Sequence, residues 1–204
     1  MTSSKFVMWV DDSPGDPYGQ FHDCYYYPNG QLKNESHRRG SGMGLPDGLQ
    51  LEFYENGQIK YFSAYTGYKY TDGSQSPYIN HLGEHKEWYE NGNLKEEGYY
   101  KDDYPQGLFK KYCEDGKLSE FYTYDNKKKN GEYETYYCKT DTQIYTLEEK
   151  GTYVDGKIDG SRERYYSNGH IAEKITFKDG KYDGPYESYN SDGTIKKKGN
   201  LKKQ

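Results

Sequence analysis

Long apolar runs are what this chain most plainly lacks. No stretch approaches the ~20 apolar residues that a membrane-spanning helix needs, and the sequence reads as that of a soluble, cytoplasmic protein. The N-terminal KFVMWV, residues 5–10, is too short for the core of a secretory leader and runs straight into Asp11 and Asp12. Aliphatic residues are scarce too: Leu, Ile, Val and Phe make 27 of 204 residues, about 13%, below the roughly 20% under which a charged chain is suspected of disorder. Cysteine is limited to Cys24, Cys113 and Cys138. That odd number, without framework spacing, favours a reducing compartment and small half-buried side chains over a disulfide scaffold. A basic excess is missing as well: 33 Asp and Glu outnumber 28 Lys and Arg, for a net charge of −5. No nucleic-acid footprint is present, and an acidic surface suits a basic partner. There is no G-x-S-x-G elbow, C-x-x-C pair or phosphate-binding loop, and the carboxylates are spread along the chain, so neither an enzyme nor a cofactor is expected.

What the chain has is tyrosine, 27 of them, arranged in a repeat. Residues 83–100, GEHKEWYENGNLKEEGYY, set the grammar: an opening glycine, a large aromatic five residues later, Asn-Gly or Asp-Gly ending nine residues later, and Leu or Ile at eleven. It recurs from Gly48, Gly83, Gly107, Gly160 and Gly184, with a degenerate copy from Gly131 and a variant first copy around Tyr26, Asn29-Gly30 and Leu32. Position five reads Phe53, Trp88, Tyr112, Tyr136, Tyr165 and Tyr189. Asn-Gly between alternating segments is a hairpin signal, because tight turns need positive φ and glycine supplies it without a Cβ clash. Each unit is therefore a β-hairpin. A three-residue loop with glycine as a bulge pairs position five with position eleven and puts both on one face, the buried one. The other face carries Tyr54, Tyr89, Tyr137 and Tyr166, amphipathic rings that tolerate partial wetting. The expected fold is all-β: an elongated antiparallel sheet of about six or seven hairpins, twisted or curled, without a thick two-layer core.

Residues 1–18 form an N-terminal segment in which KFVMWV supplies a cap strand; residues 19–204 form one repeat domain. Two insertions interrupt it. RRGSGMGLPD, residues 38–47, lacks the order of a phosphate loop and reads as a flexible loop exposing Met43 and Leu45. GYKYTDGSQSPYINHL, residues 67–82, carries Tyr78, Ile79 and Leu82 and is a contact candidate. In the Gly131 copy, CKTDTQIYT at residues 138–146 replaces the turn, so that hairpin must be longer or bulged. The string His81-Leu82-Gly83-Glu84-His85 spells a zinc-peptidase pattern, but that pattern works on a helix. On a strand the two histidines stand about 13 Å apart at ~3.3 Å per residue, so no metal is expected there. The aspartates of DDSPGDPYG, residues 11–19, lack the distal Glu of a calcium loop. The runs Lys127–Lys129 and Lys196–Lys198 read as solvated charges at turns or a sheet edge.

Taken together, FYENGQIK (53–60), WYENGNLKEEGYY (88–100), YYSNGHIAEK (165–174) and YVDGKIDG (153–160) resemble the variant MORN repeat, over about residues 19–201. Chains built almost wholly of such repeats are similar to the YwqK-like antitoxin family. That resemblance implies an immunity protein that neutralises a cognate bacterial toxin by protein–protein contact; the alternative is a structural or lipid-associated docking scaffold. No catalytic residues carry over. The partner-binding residues expected from exposure are Tyr54, Tyr89 and Tyr166 on the second face, with Met43, Leu45, Tyr78 and Ile79 from the insertions.

Overall fold

The structure is a computed structural model that describes residues 5–10, 20–39, 46–71, 74–138 and 145–202. All regular elements among them are β-strands, as the hairpin grammar requires. The chain divides into two units, Met1–Pro105 and Gln106–Gln204. The first holds β1 (Lys5–Val10), β2 (Gln20–Tyr26), β3 (Leu32–Arg39), β4 (Pro46–Phe53), β5 (Ile59–Thr71), β6 (Ser74–Trp88) and β7 (Leu94–Lys101). The second holds nearly all of β8 (Tyr104–Tyr112), then β9 (Leu118–Asp125), β10 (Lys128–Tyr136), β11 (Leu147–Val154), β12 (Lys157–Ile158), β13 (Gly160–Tyr165), β14 (Ile171–Lys178), β15 (Lys181–Tyr189) and β16 (Ile195–Leu201). Within each unit the strands lie in sequence order and pair antiparallel, and the order never returns to its first strand, so each sheet is open. Two-residue β12 pairs only β11. KFVMWV is a strand that runs antiparallel along β2 from Lys5↔Tyr25 to Val10↔Gln20.

The register at the turns follows the three-residue reading. Position five faces position eleven in Phe53↔Ile59, Trp88↔Leu94, Tyr112↔Leu118, Tyr165↔Ile171 and Tyr189↔Ile195. In the Gly57 turn the Tyr54 N–H donates to the Gln58 carbonyl at 2.7 Å and the Gly57 N–H to the Tyr54 carbonyl at 2.9 Å. Gly57 sits at φ +87°, where a side chain would clash with its own backbone. The repeats themselves are joined by tighter turns with φ positive at both residues, such as Asp155-Gly156 and Asp179-Gly180.

One residue beyond each Asn-Gly or Asp-Gly loop the ladder slips: Glu52 faces Tyr61 while Phe53 faces Ile59, so Lys60 is an extra, bulged residue. The bulge reverses the alternation of the second strand, which the sequence reading did not anticipate. Each opening glycine then faces the large residue six beyond position eleven, in Gly48↔Tyr65, Gly83↔Tyr100, Gly107↔Tyr124 and Gly160↔Phe177.

This also corrects which row is buried. In the three copies from Gly83, Gly107 and Gly131 the buried row is position two, with His85, Phe109 and Tyr133 at 5%, 8% and 2% exposure, whereas Gln50, Arg162 and Tyr186 at that position, and Trp88 and Phe53 at position five, are half-buried. The physical reason is placement: position two stands mid-strand between neighbours on both sides, and position five stands beside the loop. In the first repeat the row holds Asp23, 6% exposed, to which Arg38 Nη2 donates at 2.9 Å. Where a glycine faces the row, the ring lies over it: a Cβ on Gly151 would meet Tyr133 Cε1 at 3.0 Å.

Three further expectations are revised or refined. The 67–82 insertion is not a loop, since β5 and β6 continue as a paired ribbon out to Thr71↔Ser74. The Gly131 hairpin is longer, as expected, with Tyr136↔Leu147 the last pair and Tyr145 stacked on Tyr136 at 4.8 Å. Cys113 and Cys138 are not independent small residues but a disulfide, with Cα atoms 5.3 Å apart; Cys24 is a buried free thiol. The pairing was missed because the two residues lie in consecutive loops, which only the hairpin stacking brings together.

Candidate functional site

The Tyr-x-Asn-Gly motif is occupied in holding one repeat to the next. Tyr27, Tyr54, Tyr137 and Tyr166 donate their hydroxyls to the carbonyls of Phe53, Trp88, Tyr165 and Tyr189, at 2.8, 2.8, 2.9 and 2.8 Å. The turn asparagines add a second row: Asn56 Nδ2 reaches the Glu90 carbonyl at 3.2 Å and Asn168 Nδ2 the Ser191 carbonyl at 2.7 Å. Asn56 Oδ1 also accepts from the Gln58 N–H at 3.0 Å, fixing its own loop. Of the residues predicted to bind a partner, Tyr54 and Tyr166 are thus half-buried clasps, and Tyr89 is half-buried at the equivalent position. Met43 and Leu45 lie outside the described residues. Tyr78 and Ile79 lie on β6, and their side chains are likewise outside the description.

In the second unit Cys113 occupies the place of the clasp tyrosine, and its bond to Cys138 ties the same pair of neighbouring loops covalently. Tyr145 adds a hydroxyl bond to the Leu118 carbonyl.

The face that carries position five differs between the units. In the first, strand alternation places Leu49, Leu51 and Phe53 of β4, Trp88 of β6 and Tyr99 of β7 on one face; Leu49 and Tyr99 are exposed at 37% and 44%. In the second, three of the four position-five tyrosines are tied to carboxylates two residues back, Tyr136 to Glu134, Tyr165 to Glu163 and Tyr189 to Glu187, while Tyr112 has Lys110 in that place. Lys174 and Lys150 reach Glu163 at 2.7 and 3.3 Å. The Lys174 hydrogen bond, with those from Tyr165 and Lys150, holds the Glu163 carboxyl at about 2, well below the usual carboxylate range. A depression of about 310 Å³ on this face is lined by Glu132, Glu134, Lys150, Ser161 and Glu163 among others, and its lining is polar with more acidic than basic side chains.

The His81–His85 string is more compact than a regular strand allows. Residues 82–84 oppose the single residue Ala64, so β6 buckles and the two imidazole centroids come within 5.6 Å instead of standing about 13 Å apart. His81 lies between Tyr65 and Tyr100, stacked at 4.7 and 3.9 Å, with Ser63 hydrogen-bonded to its Nε2 and its own N–H donated to Asp103 Oδ1 at 2.6 Å. Burial, then the neighbouring His85, pushes its pKa down to about 4. Glu84 is exposed and paired with Lys86 at 3.2 Å, so the string does not gather a metal-ligand triad.

Another cluster does. His22 of β2 faces His37 of β3, with Glu35 two residues before His37 on the same face. The rings stack at 3.9 Å; Glu35 Oε1 lies 3.0 Å from His22 Nδ1 and 3.4 Å from His37 Nε2. Sequence reasoning missed it because the direct pairing His22↔His37 requires the bulge after the Asn29-Gly30 loop, which shifts the partner by one residue.

No curated protein matches the chain. Five segments, residues 24–38, 46–61, 82–102, 158–179 and 182–203, match the family model described as MORN repeat variant. Each coincides with one hairpin, β2–β3, β4–β5, β6–β7, β13–β14 and β15–β16, and the unmatched hairpins between them are those that carry the disulfide. These five segments are similar to MORN-variant repeats, and the residues that carry the similarity are the turns and clasps of the hairpins.

Proposed function

We propose that this chain acts by binding a protein partner, without chemistry of its own. The observation that supports this best is the face of the first unit on which Leu49, Phe53, Trp88 and Tyr99 stand around the Glu84–Lys86 ion pair, on a single-layer sheet, while the motif residues are engaged in holding the repeats. Tryptophan and tyrosine on a rigid surface are typical binding hot spots. The net charge of −5 and the acidic depression of the second unit favour a basic partner. Tyr54, Tyr89 and Tyr166, with Met43, Leu45, Tyr78 and Ile79, extend the proposed contact to the other face and to the insertions.

The finer reading is neutralisation of a cognate toxin in the cytoplasm, and it rests on the resemblance to the YwqK-like antitoxin family. The Cys113–Cys138 bond favours an oxidising compartment instead, and thiol alkylation in intact cells decides between them. Co-expressing the product of each neighbouring gene with and without this chain, and scoring growth, tests the reading directly. Rescue that is lost in a Trp88→Ala, Tyr99→Ala variant supports the face that carries them, and rescue lost only in a Tyr54→Ala, Tyr89→Ala, Tyr166→Ala variant moves the contact to the clasp face. No toxic neighbour, together with binding to anionic vesicles, favours the lipid-associated scaffold.

A further inference from the structure

We propose that His22, Glu35 and His37 form a zinc site that staples the first hairpin of the chain. One donor atom from each of the three residues can be chosen so that all lie within 4.8 Å of one another, and Glu35 Oε1 faces both His22 Nδ1 and His37 Nε2. Two of the three separations are already 3.0 and 3.4 Å. A tetrahedral zinc ion with bonds of about 2.0–2.2 Å needs ligand atoms about 3.3 Å apart, so drawing in the third separation completes the set. The topology allows this, because two ligands two residues apart on one strand and a third facing them on the antiparallel neighbour share one face of the pleat.

His37 is also held before the ion arrives. The bulge of β4 brings backbone against His37: a Cβ on Gly48 would lie 3.3 Å from His37 Cβ and 3.7 Å from its Nδ1, while the stacked rings turn out of their parallel arrangement so that both lone pairs meet at the ion. The cluster is half-buried, with side chains 19–24% exposed, so an ion has access to it. Two imidazoles and one carboxylate are a donor set that suits zinc and leaves a fourth position to water. On binding, Zn²⁺ takes the ring nitrogens that now face Glu35 Oε1, each neutral ring holding its proton on its other nitrogen and a protonated ring giving its extra proton to water. The two bonds that meet at one carboxylate oxygen become three bonds that meet at one ion.

The test is zinc titration of the chelator-stripped full chain against a chromophoric competitor. One zinc per chain is expected. Since outer-ligand changes alone cost about 10–100-fold in affinity, Glu35→Gln and the pair His22→Gln, His37→Gln should each lose on the order of 100-fold or more. The pair His81→Gln, His85→Gln should bind as the natural chain does. A second measurement needs no variant: zinc should protect His22 and His37 of the natural chain from carbethoxylation while the exposed His170 stays reactive. Absence of stoichiometric zinc, equal affinity in the Glu35 variant, or equal labelling with and without zinc would overturn the site.

Discussion

At Gly83 two demands meet in one residue. Its φ is +122°, and a Cβ there would sit 2.8 Å from the Ala64 Cβ across the bulge. Gly107, at φ +73°, has open space around the same virtual atom. Gly107→Ala should therefore cost only the backbone strain, about 1–2 kcal/mol, and Gly83→Ala should add an overpacking cost of about 1–3 kcal/mol, a difference that urea denaturation resolves. Burial sets a second ordering. Tyr133, nearly inaccessible and donating to Glu149 Oε1 at 2.6 Å, should cost about 3–5 kcal/mol on change to Ala, and half-buried Trp88 distinctly less; the reverse order would restore position five as the buried row. His81 supplies the pH dependence. Its folded pKa of about 4 lies below the ordinary 6.5, so between these values the unfolded chain takes up a proton that the folded chain refuses. Stability should be full above pH 6.5 and fall as pH drops towards 4. Urea midpoints at pH 7 and pH 4.5 should differ more for the natural chain than for His81→Gln.

Hairpins are the scale at which the sequence was most legible. The pairing of positions five and eleven and the three-residue loop followed from Asn-Gly chemistry, because loop length and positive φ are local properties. The bulge one residue later was not legible: it leaves no signature residue, since Lys60, Lys95 and Ala172 occupy it in different repeats. From that single missed residue came the missed His22–His37 pairing; the wrong buried row came from taking the loop-flanking aromatic for the core position instead of the mid-strand one. The disulfide and the clasps were illegible for another reason, being contacts between consecutive hairpins rather than within one. Their energies are separable. Tyr54→Phe or Tyr166→Phe deletes one hydrogen bond and should cost about 0.5–1.5 kcal/mol. Replacing Cys113 and Cys138 with Ser removes a cross-link over a 25-residue separation and should cost about 2–4 kcal/mol. Thermal denaturation under oxidising and reducing conditions checks the latter, the double variant being insensitive to reductant.

For the molecule as a whole, composition gave fold class but not faces. Scarce aliphatics and abundant tyrosine pointed to a thin sheet, and the open strand order is what such a composition can cover; what position five presents on its face depended on Phe53 and Trp88 standing where the second unit has mostly carboxylate-tied tyrosines. The sequential order has a further consequence at β16, which among the described residues pairs with β15 alone. A row of free backbone groups is a template on which a strand of another copy can add, and a chain made of near-identical hairpins offers many strands that fit. Lys196, Lys197 and Lys198 lie exposed along that strand, so an incoming copy would have to bring its own three lysines or neutralise these. Threonine at all three positions should turn a size distribution that does not change with concentration into one that grows with it, read by light scattering. Three charges on one strand thus stand where the backbone of another copy would have to add.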